Sequence, residues 1–453
     1  MKTLEEEQQD RENIVKAQIE AWMAMLPGIM QKLSKIPDPR RTKSIKHKLT
    51  VLMIYGLLIF LFRVESRRHA NEIMPRPALY ESLKSLFPQL ESIPHADTLA
   101  RLLETIKPEE IEKVHVEMIN KLIRKKKFKS LLIQGYYPIS LDGTQKFTRH
   151  GFLHDEHLPQ RTLHKKSGDI IQQYGYVLEA NMTLPNGLSI PLVSEYVALD
   201  PEKTYDKQDC ELIAFPRIVK RIKKYFPRLK FILILDKLFA DRNVCKLIQK
   251  YRWQYMIKLP TNKFKNTTKL LNDNGIKESI PNQQYYRKRK QKFSWVNNII
   301  FSKVIKNNVV GCTEHWQRVN SSTQNIENVR SEHIWISSLP LNINNVHVLC
   351  NLGARNRALI EDNMNTEKNR GYSYKHVFSY NWNGMRCFHN LMRMGHAINA
   401  ISEFTKKLKK YINERGVNTV LSYIFETLSN KWLTSDWFDK NIPTKPQIKF
   451  AIE

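Results

Sequence analysis

The stretch Phe231-Ile232-Leu233-Ile234-Leu235-Asp236 decides the fold. Five consecutive apolar residues read as a short strand covered on both faces, as the strands of a parallel sheet are. The run ends on Asp236, so a carboxylate stands at the lip of a buried strand, held by a rigid element and open to a ligand. Upstream, Asp209–Phe226 reads as a helix with Leu212, Ile213, Phe215, Ile218, Val219 and Ile222 along one side and Lys220, Arg221, Lys223 and Lys224 along the other. Further upstream, Tyr137–Leu141 is extended and leads into an Asp142-Gly143-Thr144 turn. Two more strands, Tyr174–Leu184 and Leu188–Tyr196, are joined at Pro185-Asn186-Gly187, a hairpin signal. Downstream come a helix near Asn243–Lys250 and a strand near Tyr255–Leu259. The order β-β-β-α-β-α-β predicts an α/β core.

The flanks differ in texture. Residues 1–130 read as helices: Glu5–Met25, the apolar run Leu49–Phe62, a helix capped by Asp97, and one opened by Pro108-Glu109-Glu110 that ends in the basic run Arg124-Lys125-Lys126-Lys127. Pro37 and Pro39 break the chain between the first two. Short helices with basic edges suit duplex DNA, and a purely structural helical domain fits them equally well. Residues 261–345 are Asn- and Lys-rich, with alternating segments such as Trp295–Phe301, and predict a β-rich insertion closed by His333-Ile334-Trp335-Ile336. Helical texture then resumes, with an apolar-faced helix through Phe388, Leu391, Met392, Gly395, Ile398 and Ile401. The expected segments are a helical domain at 1–130, a first core part at 131–260, the insertion at 261–345, core completion at 346–412 and a tail at 413–453.

Lys and Arg number 73 against 44 Asp and Glu, a net charge of +29 over 453 residues. An excess of that size points to a polyanionic partner, because Lys and Arg contacts to phosphates release counterions. Five cysteines, Cys210, Cys245, Cys312, Cys350 and Cys387, form no CxxC pair, which argues against a zinc site or a disulfide framework and fits a reducing cytoplasm. The acidic start MKTLEEEQQDREN is no signal peptide, and Leu49–Phe62 falls short of the roughly 20 apolar residues a membrane span needs. No membrane partner is expected.

Three carboxylates could carry chemistry. Asp142 and Asp236 follow extended runs. Glu361 sits in Arg355-Asn356-Arg357-Ala358-Leu359-Ile360-Glu361, with Arg357 four residues before it and Lys368 seven after, one face of a helix. Taken singly, each has a plain structural reading: a helix cap for the aspartates, and for Glu361 a surface ion pair of about 0.3–0.5 kcal/mol. Together they are the hard oxygen donors that magnesium takes, with water and phosphate completing its shell.

The Asp142-Gly143-Thr144 segment, Leu235-Asp236 and Arg357-x3-Glu361-x6-Lys368 resemble the DDE transposases of bacterial insertion sequences, in particular the group with a tyrosine-x2-arginine-x3-glutamate-x6-lysine signature. Tyr176–Ala180, Lys207–Glu211 and Asn365–Tyr372 are similar too, so the resemblance covers roughly residues 90–400. One position departs: the signature tyrosine falls on Ala354. The resemblance implies an RNase H-like mixed-sheet core with a β-rich insertion. It implies that Asp142, Asp236 and Glu361 hold two Mg²⁺ ions, with Mn²⁺ able to substitute, and that Arg357, Lys368 and Arg355 bind DNA. It further implies cleavage at terminal inverted repeats and strand transfer into target DNA, a homodimer on double-stranded DNA, and a prokaryotic cytoplasm at the nucleoid. A nuclease without strand transfer and an inactive DNA-binding remnant are the alternatives.

Other candidates have plainer readings. His376, His389 and His396 lack zinc spacing. Asp241 suits a helix cap, and Asp169 and Asp200 suit loops. Trp295 could stack on a flipped base, though packing in the core is the plainer role.

Overall fold

The computed structural model describes residues 3–150, 158–164, 168–197, 207–260, 271, 278–279, 284–301, 305–320, 322 and 324–451. The fold is mixed α/β, with an N-terminal helical region and a mixed sheet. The chain divides into two compact units: residues 1–130, 190–193 and 362–453, and residues 131–189 and 194–361. The residues after Glu361 therefore group with the N-terminal helices, which a reading along the chain does not show.

In the helical unit, α1 (Leu4–Leu33) opens on a reciprocal cap, with Thr3 Oγ1 accepting from the Glu6 amide and Glu6 accepting from the Thr3 amide. It runs past the expected end at Met25 and through Pro27, because Leu26, Ile29, Met30 and Leu33 keep the buried stripe going. Burial of four large side chains outweighs the one hydrogen bond the proline removes. α2 (Leu49–Leu61) is buried around almost its whole circumference, as an all-apolar helix must be in water. No helix among the described residues is long and apolar enough to cross a membrane. α3 (Arg67–Ile73), α4 (Pro77–Leu86), α5 (Ala96–Leu103) and α6 (Pro108–Arg124) complete the N-terminal set.

The partner of α2 lies far along the chain. The helix Trp382–Glu403, spanning the predicted 388–401 face, packs on it so closely that a Cβ on Gly395 would lie 2.7 Å from Phe60 Cβ. The stretch expected as a tail is structured: helices Lys406–Arg415, Val417–Leu428 and Ser435–Asn441 return to α1 through Arg11–Glu426 (2.6 Å), Arg415–Asp10 (2.7 Å) and Trp437 donating to Glu12 (3.0 Å).

The other unit is built on a sheet. Its strands are β1 (Tyr137–His150), β2 (Gln160–Leu163), β3 (Ile170–Thr183), β4 (Ser189–Tyr196), β5 (Phe231–Leu235), β6 (Gln254–Lys258), β7 (Glu278–Ser279), β8 (Gln284–Tyr286), β9 (Arg289–Phe301), β10 (Ile305–Val319) and β11 (Ile326–Ser337). The order is β2-β3-β1-β5-β6-β11-β10-β9-β7. β1, β5 and β6 are parallel, and β3 and β11 flank them antiparallel. β5 is buried at every residue, as its composition predicts. The Pro185-Asn186-Gly187 turn closes with Gly187 at φ +87° and Leu184 N donating to Leu188 O at 2.8 Å. α7 (Lys207–Tyr225) and α8 (Arg242–Lys250) connect the parallel strands, and Asp241 caps α8 through the amides of Asn243 and Val244.

The residues expected as a separate β-rich insertion extend this sheet. β11 pairs with β6 through Trp335↔Lys258, Ile336↔Ile257 and Ser337↔Met256, so it is both the last strand of the insertion and the return to the core. Trp295, Val310, Cys312 and Trp335 join Ile232, Ile234 and Met256 in one apolar cluster, which places Trp295 in the core.

The closeness of Gly395 to Phe60 gives a test. Ala at 395 gains helix propensity of about 1 kcal/mol but overpacks against a Cβ and backbone that cannot swing away, costing about 1–3 kcal/mol. Gly395→Ala is expected to lower the urea midpoint of the full chain; a midpoint at or above wild type would contradict the tight packing.

Candidate active site

Register brings two of the acids together. β1 pairs with β5 in parallel through Ser140↔Ile234. Asp142 follows two residues on along β1, Asp236 lies just past the end of β5, and the two are close enough for the charge of Asp236 to act on Asp142. β5 ends there, so the pair sits where the parallel part of the sheet opens. Asp236 caps the following single turn, its Oδ1 accepting from the Leu238 amide at 3.0 Å.

The expected turn at Asp142-Gly143-Thr144 is not one. β1 continues to His150, paired antiparallel with β3 with a register shift between Gln145 and Phe147, and Asp142 lies in mid-strand opposite Glu179. The long partner β3 carries the strand past the point where β5 stops. Gly143 is present for close packing, not for a turn: a Cβ there would lie 2.5 Å from the Glu211 carboxylate and from the Tyr176 hydroxyl, which fill the opposite face.

Glu361 arrives on a different element. After β11 the chain passes through a turn at Val346–Val348, a wide turn at Leu349–Gly353 and a tight one at Ala354–Arg357, and α9 (Ala358–Asn369) begins. Glu361 lies in its first turn, where the helix dipole favours an anion. Arg357 joins the acids: its guanidinium is 3.6 Å from Asp142 Oδ2 and hydrogen-bonds Glu361 Oε1. Arg357 is thus the cation between two carboxylates, as its spacing of four from Glu361 suggests.

The electrostatics of Asp142 report the crowding. Burial raises its pKa to about 6; Arg357 pulls it down, while the charges of Glu361 and Asp236 push it up and the Gly143 amide opposes them. All three acids therefore share one field. As the side chains stand, no group of three His, Cys, Asp or Glu among the described residues is arranged to hold a metal ion. The guanidinium of Arg357 occupies the space between Asp142 and Glu361 and supplies the positive charge there.

Arg355 pairs with Glu314 of β10 at 2.7 Å and is not grouped with the acids. Lys368, in the helical unit, has its ammonium 5.9 Å from the Tyr374 ring. Two buried acids escaped sequence reasoning. Glu179 faces Asp142 across the β1–β3 ladder, fully buried, and accepts from Ser194 Oγ at 2.5 Å. Strand alternation could have put it on that face, but not in that register. Glu314 had no signal beyond being an acid in an alternating strand. The histidines make no cluster: His396 bonds Glu367 at 2.7 Å, while His389 and His376 pack on Tyr374 and Phe378. Asp169 pairs with His164 at 2.9 Å, and Asp200 lies outside the described residues.

Comparison with known proteins adds three findings. Residues 30–119 match the family model described as DDE_Tnp_1-associated. No curated protein matches the sequence. Among solved structures, the chain is similar to a piggyBac transposase synaptic complex with hairpin DNA, at 10% identity and a TM-score of 0.38, covering 94% of this chain and 84% of that one. A likeness that loose carries no argument about this protein.

The raised pKa of Asp142 sets a pH dependence. A carboxyl whose folded pKa lies above its ordinary 3.8 holds a proton that the unfolded chain releases, so stability falls as pH rises from about 4 through about 6 and levels off above. Without divalent ions, Asp142→Asn is expected to stabilise the chain at pH 8, with the advantage gone by pH 4. Urea unfolding at the two pH values checks this; an equal difference at both would remove the assigned cause.

Proposed function

We propose that this chain is a DNA transposase of the DDE type. The observation that carries this reading is the single charge-coupled site formed by Asp142, Asp236 and Glu361 around Arg357, on a chain of net charge +29. The match of residues 30–119 to a transposase-associated family model supports it independently. The antiparallel β3–β1 pair beside parallel β5 and β6 is read as an RNase H-like core, with β7–β11 as its insertion.

The donor set fits magnesium in kind: three hard carboxylates, one on β1, one just past β5 and one on a helix, with the pKa of Asp142 raised to about 6 chiefly by burial and then by the charges of Glu361 and Asp236. Asp142, Asp236 and Glu361 would hold the ions, which when bound neutralise charge on the attacking and leaving oxygens of a phosphodiester. The chain's own residues do the rest. Arg357, beside Asp142 and Glu361, would be placed to contact a phosphate through its fork of donors. The Leu238 and Gly143 amides hold one oxygen of Asp236 and of Asp142 in place. In the reaction a water oxygen attacks phosphorus at the transposon end, the P–O3′ bond breaks and a 3′-hydroxyl is released. That hydroxyl then attacks phosphorus in the target strand, whose own 3′ oxygen leaves. Double-stranded DNA, terminal repeats and target alike, is the partner, bound by two protomers in a prokaryotic cytoplasm.

A second reading, a DNA-binding protein without cleavage, is favoured by Ala354, which is buried and stands where the signature has tyrosine.

The test is a Mg²⁺-dependent cleavage and joining assay on the terminal repeats of the element encoding this chain. Cutting with joining supports the transposase, cutting alone a nuclease, and gel retardation without cutting the second reading. Asp142→Asn and Glu361→Gln are each expected to lower cleavage by about 100-fold or more, since even outer-shell partners of a metal are worth 10–100-fold, with retardation of DNA retained. Full cleavage by either variant would remove it from the site.

A further inference from the structure

The segment that delivers Glu361 is irregular. Between β11 and α9 the helical bonding changes step twice, through a wide turn at Leu349–Gly353 and a tight one at Ala354–Arg357, so no single helical ladder runs into α9. The direction of α9 at its start therefore depends on what grips these turns. Two buried polar contacts from the insertion do so. Gln291 of β9 exchanges amide hydrogen bonds with Asn351, Nε2 to Oδ1 at 2.9 Å and Nδ2 to Oε1 at 2.8 Å. Glu314 of β10 takes the Arg355 guanidinium at 2.7 Å. The two grips are one assembly, because Gln291 and Glu314 are cross-strand neighbours and Gln291 donates to Glu314 at 2.6 Å. Arg289 at 3.0 Å and Ser331 at 3.2 Å complete the shell of Glu314, whose side chain is fully buried.

Packing alone does not call for this charge. Leu349, Cys350 and Ala354 already sit in an apolar cluster with Phe293, Trp295 and Trp335. A buried ion pair adds little net stability over apolar residues of the same volume. What it adds is direction: a guanidinium fork on a carboxylate fixes position and angle together. Arg355 lies two residues before Arg357 and six before Glu361.

We infer that Glu314 is a positioning residue for the active site: through Arg355 it sets where Arg357 and Glu361 stand relative to Asp142 and Asp236. The insertion is then a support for the third acid. This rests on the reading of Asp142, Asp236 and Glu361 as metal ligands.

The experiment is Mn²⁺ titration of the full chain, followed by the loss of the free-ion electron paramagnetic resonance signal, with urea unfolding in parallel. Glu314→Leu combined with Arg355→Leu removes both charges and keeps the volume apolar. The double variant is expected to fold with a near-wild-type urea midpoint and to bind Mn²⁺ at least about 10-fold more weakly, the loss typical of outer-shell supports. Glu314→Asp keeps the charge on a shorter arm; it is expected to bind Mn²⁺ with an intermediate loss and serves if the double variant does not fold. Wild-type Mn²⁺ affinity in either folded variant overturns the inference and leaves the metal site standing. Absence of Mn²⁺ binding by the wild-type chain overturns both.

Discussion

Like charge held close is the constraint on which the sheet unit depends. Parallel pairing of Ser140 with Ile234 brings the end of β5 beside β1, so Asp236, just past that end, acts on Asp142 through its charge. Glu361 adds a third negative charge to the same field. Such a group repels itself and survives only with compensation. Arg357 provides it, reaching Asp142 and Glu361 at once, while burial raises the pKa of Asp142 to about 6.

What could be read from the sequence follows from how local each cause is. The five-residue apolar run of β5, the cap at Asp241, the hairpin at Pro185-Asn186-Gly187 and the all-round burial of α2 each need only a few adjacent residues, and each was legible. The spacing of Arg357 and Glu361 was legible for the same reason. The register that places Glu179 opposite Asp142 was not, because it depends on which residues of two distant strands meet. Gly143 was misread as a turn signal: its small size answers to Glu211 and Tyr176, which sequence does not place beside it. Arg355, which the resemblance makes a DNA contact, pairs with Glu314 some forty residues away, a partner the sequence does not place beside it.

The 261–345 region shows the same limit at larger scale. Its alternation predicts strands but not where they attach. In the structure β11 hydrogen-bonds to β6, so the sheet runs without interruption from the aspartate strands into the insertion. Polar groups buried along that extension, Glu314 and Gln291 foremost, look costly in isolation. Each is matched by donors and acceptors from the turns before α9.

The helical unit has a consequence in time. α1 meets helices past residue 405 through Arg11–Glu426, Arg415–Asp10 and Trp437–Glu12, and α2 meets Trp382–Glu403 at Gly395, while nearer in the chain Lys32–Glu117 ties α1 to α6. Such sequence-distant contacts form late and slowly. During synthesis α1 and α2 emerge more than 300 residues before these distant partners. A growing chain thus holds the all-apolar α2 without one of the helices that cover it until Trp382–Glu403 has been made.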